Sequence, residues 1–474
     1  MSHSRKLHIC GIGGTAMVAG ARLALEAGWE VRGSDGPLYP PASEMAAELG
    51  VRIAPGYAPE NLDWNPDIVL IGNVLSRGNP EVEAVLARRL RYMSLPEWMK
   101  EHVLRERRAV AICGTHGKTT TTALSAHVLA QCGLDPGYLI GGQPLGFAHP
   151  ARLGPEGVPF VIEGDEYDTA FFDKRAKFLH YLPEIAVVTS VEFDHGDIYR
   201  DLEEIKTAFE RLLRQIPGNG WLVACADNAA AELVPQAYSQ TCTYGFHPDA
   251  AWRGELAGTQ AGLQLLKVFR RGVPWGTVHS PLTGRHNLQN VLAAIAVADA
   301  FGAAPEAIAA AIASFPGVRR RMEIFLEANG VTYVDDFAHH PTAIRETVAA
   351  ARARWPEARL RVLFEPRSNT TVTNQFQAEL AASFTGADEV WLGPLHRAES
   401  IAPEKRLNRP TLVAGLRAGG IPAQALDSAE ALTAAVQDTG QPGDVVLILS
   451  NGAFGGIYAL FRIACEKIPQ ASQT

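Results

Sequence analysis

Apolar residues in the first hundred positions come in short bursts separated by stretches of helical period. The bursts are Leu7 to Ile12, Glu30 to Gly33 and Ile68 to Gly72, with a helix over Thr15 to Ala27 between the first two. This is the βαβ rhythm of a parallel sheet, whose strands are continuously apolar because crossover helices cover both faces. The charged stretch Lys100 to Arg108 reads as a helix end and linker. A second body opens with the apolar run Ala109 to Cys113, a glycine-rich loop and a helix from Lys118 to Cys132, closed by Gly133. Strands are expected at Pro159 to Glu163 and Ile185 to Val191. Trp221 to Val278 turns β-rich around Asn219-Gly220 and Gly272, a helix starts near His286, and Pro316-Gly317 marks a break. The third body has strands at Val331 to Val334, Leu360 to Phe364, Glu389 to Leu392 and Val445 to Leu449, separated by Ala-rich helical segments. The pattern predicts an α/β chain of three domains. These are a Rossmann-like domain over 1–107, a P-loop domain with an added β-rich part over 108–317, and a second Rossmann-like domain over 318–474.

Length and composition agree with that division. A chain of 474 residues exceeds what one core organises, at roughly 100 to 200 residues per domain. With 47% hydrophobic residues, 20% charged and a mean hydropathy of −0.01, packed interiors are expected rather than disorder. A net charge of −8 supplies no positive field to gather a nucleic acid, so any phosphate must be gripped locally. Of the two dense basic spots, Arg105 to Arg108 reads as a solvated face; the other is Arg319-Arg320-Arg321. The six cysteines form no C-x-x-C pair, which implies a reducing compartment such as the cytoplasm. Arg5 and Lys6 before Leu7 to Ala21 mimic a signal peptide, but Gly11, Gly13 and Gly14 suit a strand-to-helix turn better. No run approaches the length of a membrane span, so no membrane insertion is expected. The oligomeric state is left open, a monomer being compatible.

The sharpest chemical signal is Gly114-Thr115-His116-Gly117-Lys118-Thr119-Thr120, placed after a strand and opening a helix. Small residues let successive N–H groups wrap a phosphate, the helix N-terminus adds a favourable dipole, Lys118 supplies a point charge and Thr119 can ligate Mg²⁺. This is a P-loop, with Ile112 where the full pattern has its first glycine. Hard oxygen ligands for the metal are offered by the strand ending at Glu163, followed by Asp165 and Glu166, and by Glu192-Phe193-Asp194-His195 after the next strand.

Near the N-terminus, Gly11-Ile12-Gly13-Gly14-Thr15-Ala16 fits G-x-G-x-x-G/A, with Asp35 closing the following strand. Alone this reads as a nicotinamide dinucleotide site and hence an oxidoreductase. A second nucleotide grip in the next domain counts against that, because a dehydrogenase has no use for ATP and Mg²⁺. Three further clusters stand at element ends: Gly284-Arg285-His286-Asn287 with Asn290, Asp335-Asp336-Phe337-Ala338-His339-His340-Pro341, and Ser450-Asn451-Gly452 through Gly455-Gly456. The adjacent His339 and His340 lack a cysteine or third histidine at metal spacing, so no transition metal is expected there.

In order and spacing, the motifs at 114–120, 163, 192–195, 284–287, 319–321 and 335–341 resemble those of the Mur ligases over essentially the whole chain. The resemblance implies an ATP- and Mg²⁺-dependent ligase that forms an amide bond on a UDP-linked muramic acid. The first domain would grip the UDP-sugar through Gly11, Gly13, Gly14, Thr15, Ser34, Asp35 and Asn73. The second would bind ATP through Gly114, Thr115, His116, Gly117, Lys118, Thr119 and Thr120, and the third would bring the amine substrate. By the same resemblance Lys118 holds the β- and γ-phosphates, Thr119 and Glu163 one Mg²⁺, and His195 a second. His286, Asn287 and Asn290 lie near the adenosine, Asp335 near its ribose, and one of Arg319 to Arg321 near the γ-phosphate. Lys118, Glu163, His195 and Arg320 are the expected catalytic residues, with Arg319 on the nucleotide. Tyr167 to Arg175 and Glu365 to Thr370 look like the members that attach L-alanyl-γ-D-glutamyl-meso-diaminopimelate to UDP-N-acetylmuramate, with Arg367 and His339 on the peptide. The glycine turn resembles members that attach L-alanine, which is the alternative. Several members carbamylate a lysine downstream of the His195 position, and Lys206 to Arg211 offers no match to it.

Overall fold

Among the described residues three large sheets and one two-stranded hairpin form, and in each large sheet the strands bearing candidate chemistry have parallel partners. The computed structural model describes residues 4–39, 42–194, 196 and 198–466. His195, expected on a metal, lies outside the described residues. Two compact units form, one from the described residues of Met1–Phe193, Ile198–Pro281 and Gln289–Pro316, the other from those of Asp194–Asp197, Leu282–Leu288 and Gly317–Thr474. Among the described residues no helix is long and apolar enough to cross a membrane.

The first unit holds two large sheets and a two-stranded hairpin. One is five-stranded and wholly parallel, in the order Arg52–Pro55, Glu30–Asp35, Lys6–Cys10, Ile68–Ile71, Tyr92–Met93. Leu7, Ile9, Val69 and Leu70 are fully buried, as strands covered on both faces must be. The first strand stops at Cys10, short of Ile12, because the N–H groups of Gly11 and Ile12 turn to the Ser34 carbonyl (2.9 and 3.2 Å). Helix Pro80–Ala87 begins with Asn79 accepting from the Glu81 and Val82 N–H groups, and Leu95–His102 with a Ser94–Glu97 capping box.

The second sheet has ten strands. Its parallel centre runs Gln240–Gly245, Trp221–Cys225, Ile185–Val188, Arg108–Cys113, Pro159–Gly164, Gly137–Leu139. The β-rich stretch expected from Trp221 onward is therefore of two kinds. Its first two strands extend the parallel sheet, and only Trp252–Gln260, Leu263–Arg270 and Val273–Ser280 form an antiparallel meander. The strand expected to reach Val191 ends at Val188, since its partner ends opposite it at Cys113 and no ladder remains. The run Arg105 to Arg108 is only partly a solvated face. Arg105 and Arg108 pair with Glu101 and Glu184 at the surface, but half-buried Arg107 donates to the carbonyls of Val103, Leu153 and Gly154 (2.9, 2.9 and 2.8 Å) and fixes the linker.

The second unit is built on a six-stranded sheet in the order Glu323–Ala328, Val331–Asp336, Val445–Leu449, Leu360–Phe364, Glu389–Leu392, Ala423–Ala425, antiparallel only at its first pair. Apolar clusters pack on both faces, around Phe364, Phe384 and Leu447 on one and Phe454, Phe461 and Ile448 on the other. The exception inside this core is Arg361, fully buried. It donates to Glu389 Oε2 (3.0 Å), Val436 O (2.8 Å) and Thr439 Oγ1 (2.6 Å), and lies 3.5 Å from Asp444. Removing one member of such a buried pair strands the other, so Arg361→Ala should cost about 3 kcal/mol in urea unfolding; a loss under about 0.5 kcal/mol would contradict this packing.

Candidate functional site

In register, Ile112 lies opposite Glu163 and Cys113 opposite Val188, so three parallel strands open their carboxyl ends on one edge, where ligands bind in such sheets. The loop 114–117 leaves the middle strand and enters helix Lys118–Gln131. Gly117, at φ +82°, makes the turn in a left-handed conformation that favours glycine. At Gly114 a Cβ would lie 2.2 Å from Thr189 Oγ1 and 2.8 Å from the Ser190 nitrogen. Residues 189–191, expected as strand, instead buttress this loop together with Glu192. Thr189 Oγ1 donates to Cys113 O (3.0 Å), His116 N to Ser190 Oγ (2.9 Å), and Glu192 N to Thr115 Oγ1 (2.9 Å). No side chain caps the helix at Gly117, and the dipole of its N-terminus favours an anion there. Asn290 Oδ1 accepts from Thr121 Oγ1 at 3.0 Å and stands 2.7 Å from where a Gly117 Cβ would be.

Lys118 is the electrostatic centre. Its ammonium donates to Gly114 O (2.6 Å) and Glu166 Oε2 (2.8 Å), with Asp165 Oδ1 at 4.0 Å. Burial opposes its charge, but Glu166 and Asp165 outweigh burial and raise it above an ordinary lysine. Burial likewise works against the Asp165 charge, and Lys177 and Lys118 overcome it to hold that carboxyl below its usual range. Alongside, Thr119 Oγ1 donates to Glu163 Oε2 at 3.1 Å, and Glu163 Oε1 accepts from Gly141 N at 2.6 Å. A hydroxyl and a carboxylate beside a phosphate loop are the hard oxygen donors that Mg²⁺ takes, so the residues fit the metal.

At the other end of this unit, the glycine turn is stiffened from within. Gly13 N donates to Asp35 Oδ2 (2.6 Å), while Gly36 N and the Tyr57 hydroxyl donate to Oδ1 (2.7 and 2.8 Å). The acid that a dinucleotide fold would present to a ribose is thus spent on its own turn. What remains for a ligand is the N-terminus of helix Thr15–Glu26, which Gly14 leaves without a side-chain cap and which has no acidic residue in its first turn. Exposed Asn73 donates to Asp168 O at 3.1 Å. Asp168 belongs to a hairpin, Asp168–Ala170 with Asp173–Ala176, whose Phe172 ring packs on Tyr92 with centroids 4.9 Å apart. The 167–175 stretch noted in the sequence is therefore a clasp between the two large sheets of this unit.

In the second unit, Arg320 donates to Asp335 Oδ2 (3.1 Å), Ser450 O (2.6 Å) and Gly452 O (2.9 Å), and Tyr458 donates to Asp335 Oδ1 (2.8 Å). Arg320 ties strand ends together, and Arg319 is the exposed member of the cluster. Arg367, half-buried, lies 3.4 Å from Glu365 Oε1 and 3.2 Å from His396 Nδ1, and a Cβ on Gly452 would come within 2.1 Å of its Nε. His339 Nδ1 sits 2.9 Å from Phe337 O. Asn287 Nδ2 donates to Thr283 O at 2.8 Å, and His286 lies 3.7 Å from Glu346. Sequence reasoning missed Ser190, Gly141, Tyr57, His396 and Tyr458 as parts of these sites. Each acts through a fold contact that no local motif announces.

Comparison with known proteins covers the same ground. Family models described as "Mur ligase family, catalytic domain", "Mur ligase middle domain" and "Mur ligase, glutamate ligase domain" match residues 6–107, 112–298 and 320–452. The UDP-N-acetylmuramate–L-alanyl-γ-D-glutamyl-meso-2,6-diaminoheptandioate ligase of Escherichia coli is 42% identical, covering 99% of this chain and 100% of its own. The UDP-N-acetylmuramate–L-alanine ligase of Oleidesulfovibrio alaskensis is 36% identical over 94% and 96%. A crystal structure of a murein peptide ligase from Psychrobacter arcticus superposes with a TM-score of 0.73 at 35% identity, over 98% and 99%.

Asp335 gives a pH test. Burial lifts its carboxyl to about 6, against the pull of Arg320 and Tyr458 and with some help from Asp336. An acid raised by folding binds more protons folded than unfolded, so it favours the fold at pH 4 and loses that contribution as pH climbs through about 6. The melting temperature of Asp335→Asn should therefore gain on wild type between pH 4 and 7; a difference constant with pH contradicts the shift.

Proposed function

Since the chain belongs to the Mur ligase family, we propose that it is an ATP-dependent carbon–nitrogen ligase joining the lactyl carboxylate of UDP-N-acetylmuramate to the amino group of L-alanyl-γ-D-glutamyl-meso-diaminopimelate. It would act in the cytoplasm, in the recycling of cell-wall peptide. Residues 1–107 would grip the UDP-sugar, 108–317 bind ATP and 318–474 bind the peptide. The observation that carries this is the arrangement of Lys118, Thr119 and Glu163 at three converging strand ends. The full-length likeness to a ligase named for that tripeptide supports the choice of amine.

A carboxylate is a poor acyl donor because its leaving group would be an oxide. Transfer of the γ-phosphoryl group of ATP to it releases ADP and gives an acyl phosphate. The amine nitrogen then attacks the carbonyl carbon, the bond to phosphate breaks and the amine gives up a proton. In phosphoryl transfer a protein contributes chiefly position and charge. Lys118, kept protonated by Glu166 and Asp165, brings a fixed positive charge to the β- and γ-phosphates. The amides opening helix Lys118–Gln131 add donors, and Thr119 with Glu163 would hold Mg²⁺, which neutralises developing negative charge. In this reading His286, Asn287 and Asn290 attend the adenosine and Asp335 the ribose. Arg320 is committed to strand ends, which leaves Arg319 as the exposed arginine of that cluster. In the peptide site, Arg367 meets a carboxylate through charge-assisted hydrogen bonds, with His339 alongside, its carbonyl accepting from Ser368 Oγ at 3.2 Å.

Two tests follow. Phosphate release from ATP with UDP-N-acetylmuramate is measured with the tripeptide or with L-alanine, following NADH absorbance in parallel. Turnover with the tripeptide is expected, and Lys118→Ala should lower it by about 10²- to 10³-fold while UDP-N-acetylmuramate still binds. Turnover with L-alanine alone, or an absorbance change, would overturn the assignment. Gly452→Ala, whose new methyl must displace Arg367, should raise KM for the tripeptide about tenfold with KM for ATP held; an unchanged tripeptide KM removes Arg367 from the peptide site.

A further inference from the structure

Beneath the glycine turn lies a polar cluster that the reaction above does not use. Glu81, in the first turn of helix Pro80–Ala87, is fully buried. Its Oε1 accepts from His8 Nε2 (2.6 Å), Ser34 Oγ (2.6 Å) and Cys10 Sγ (2.9 Å), and its Oε2 from Asn61 Nδ2 (2.7 Å) and Ala58 N (3.2 Å). Burial works to raise this carboxyl, but the bonds from His8, Cys10, Ser34 and Asn61 outweigh it and hold it at about 2, so it is an anion at any neutral pH. The five donors come from the first strand, the second strand and the segment after the third. Two of them abut the turn. Cys10 immediately precedes Gly11, and the Ser34 carbonyl receives the N–H groups of Gly11 and Ile12.

His8, Cys10 and Glu81 also lie near enough together to suggest a metal. The hydrogen bonding argues for a hub instead. Trp64 Nε1 donates to His8 Nδ1 at 3.3 Å, and burial together with Glu81 pushes the Cys10 thiol well above its ordinary range, so it keeps the proton a metal would have to displace.

We propose that Glu81 is a positioning residue for UDP-sugar binding. It clamps Cys10, Ser34 and the 58–61 segment from below, and so holds the glycine turn and the uncapped start of helix Thr15–Glu26 in the geometry that receives the diphosphate. This rests on the UDP-sugar reading of that turn. Preorganisation of this kind shows as affinity for one ligand rather than as a general loss of stability. Glutamine at the position turns one acceptor oxygen into a donor, facing either His8 Nε2 or the Ala58 and Asn61 N–H groups, which must themselves donate.

The test uses the full chain, with KM for UDP-N-acetylmuramate and for ATP measured separately and UDP-N-acetylmuramate binding followed by calorimetry. Glu81→Gln should raise the KM and Kd for the UDP-sugar about tenfold and leave KM for ATP where it was. Ser34→Ala, which keeps the carboxylate and removes one donor, should move the same two constants in the same direction by less. A folded Glu81→Gln protein with a wild-type Kd for the UDP-sugar, or an equal rise in both KM values, overturns the proposal. If that variant does not fold, Ser34→Ala is judged by the same criteria. Wild-type protein that fails to bind UDP-N-acetylmuramate overturns the reading of the turn itself, and the proposal with it.

Discussion

One ammonium among carboxylates governs the central sheet. Lys118 is drawn to Glu166 and Asp165 and also to the carbonyl of Gly114, so its charge is fixed within the loop that it serves. Without those acids, burial would favour the neutral amine and the loop would lose the charge that a polyphosphate needs. Without the lysine, buried Glu166 would lose its ion pair at 2.8 Å. The loop's shape follows from the same economy of space, since the segment after Val188 presses close against Gly114.

The same device recurs at the other end of the first unit, with the sign reversed. There carboxylates serve as struts, Asp35 for backbone amides and Glu81 chiefly for side-chain donors. Asp35 ties down Gly13 and Gly36, and Glu81 ties three segments together under the turn. Consuming those amides internally leaves the helix N-terminus as the free pole of the turn. A turn built for a nicotinamide dinucleotide would need its acid facing outward. The internal use of Asp35 thus separates two readings that the glycine spacing alone leaves open.

Much of this was legible in the sequence. The strands Leu360–Phe364, Glu389–Leu392 and Val445–Leu449 fall where their largely apolar runs put them, because strands buried on both faces leave little ambiguity of period. The phosphate loop was equally legible, being a local structure whose residues are contiguous. Legibility failed where a neighbour decides the outcome. Val191 is apolar like the strand before it, yet the ladder stops three residues earlier because the partner strand has ended. Arg107 looks like its exposed neighbours but finds two carbonyls from a distant part of the chain, Leu153 and Gly154, besides that of Val103. Arg320 could not be told from Arg319 by composition; only the fold shows which one is occupied by Asp335 and the strand ends. Glu81 carries no motif at all, and its meaning lies wholly in five donors brought from elsewhere.

The most direct measurement of the central claim is a crystal structure of the protein with Mg²⁺ and a non-hydrolysable ATP analogue. The account predicts the β- and γ-phosphates cradled by residues 114–120 with the Lys118 ammonium turned onto them, and a metal ion bound by Thr119 and Glu163. An analogue bound elsewhere, with Lys118 still held by Glu166 and the Gly114 carbonyl, would contradict it.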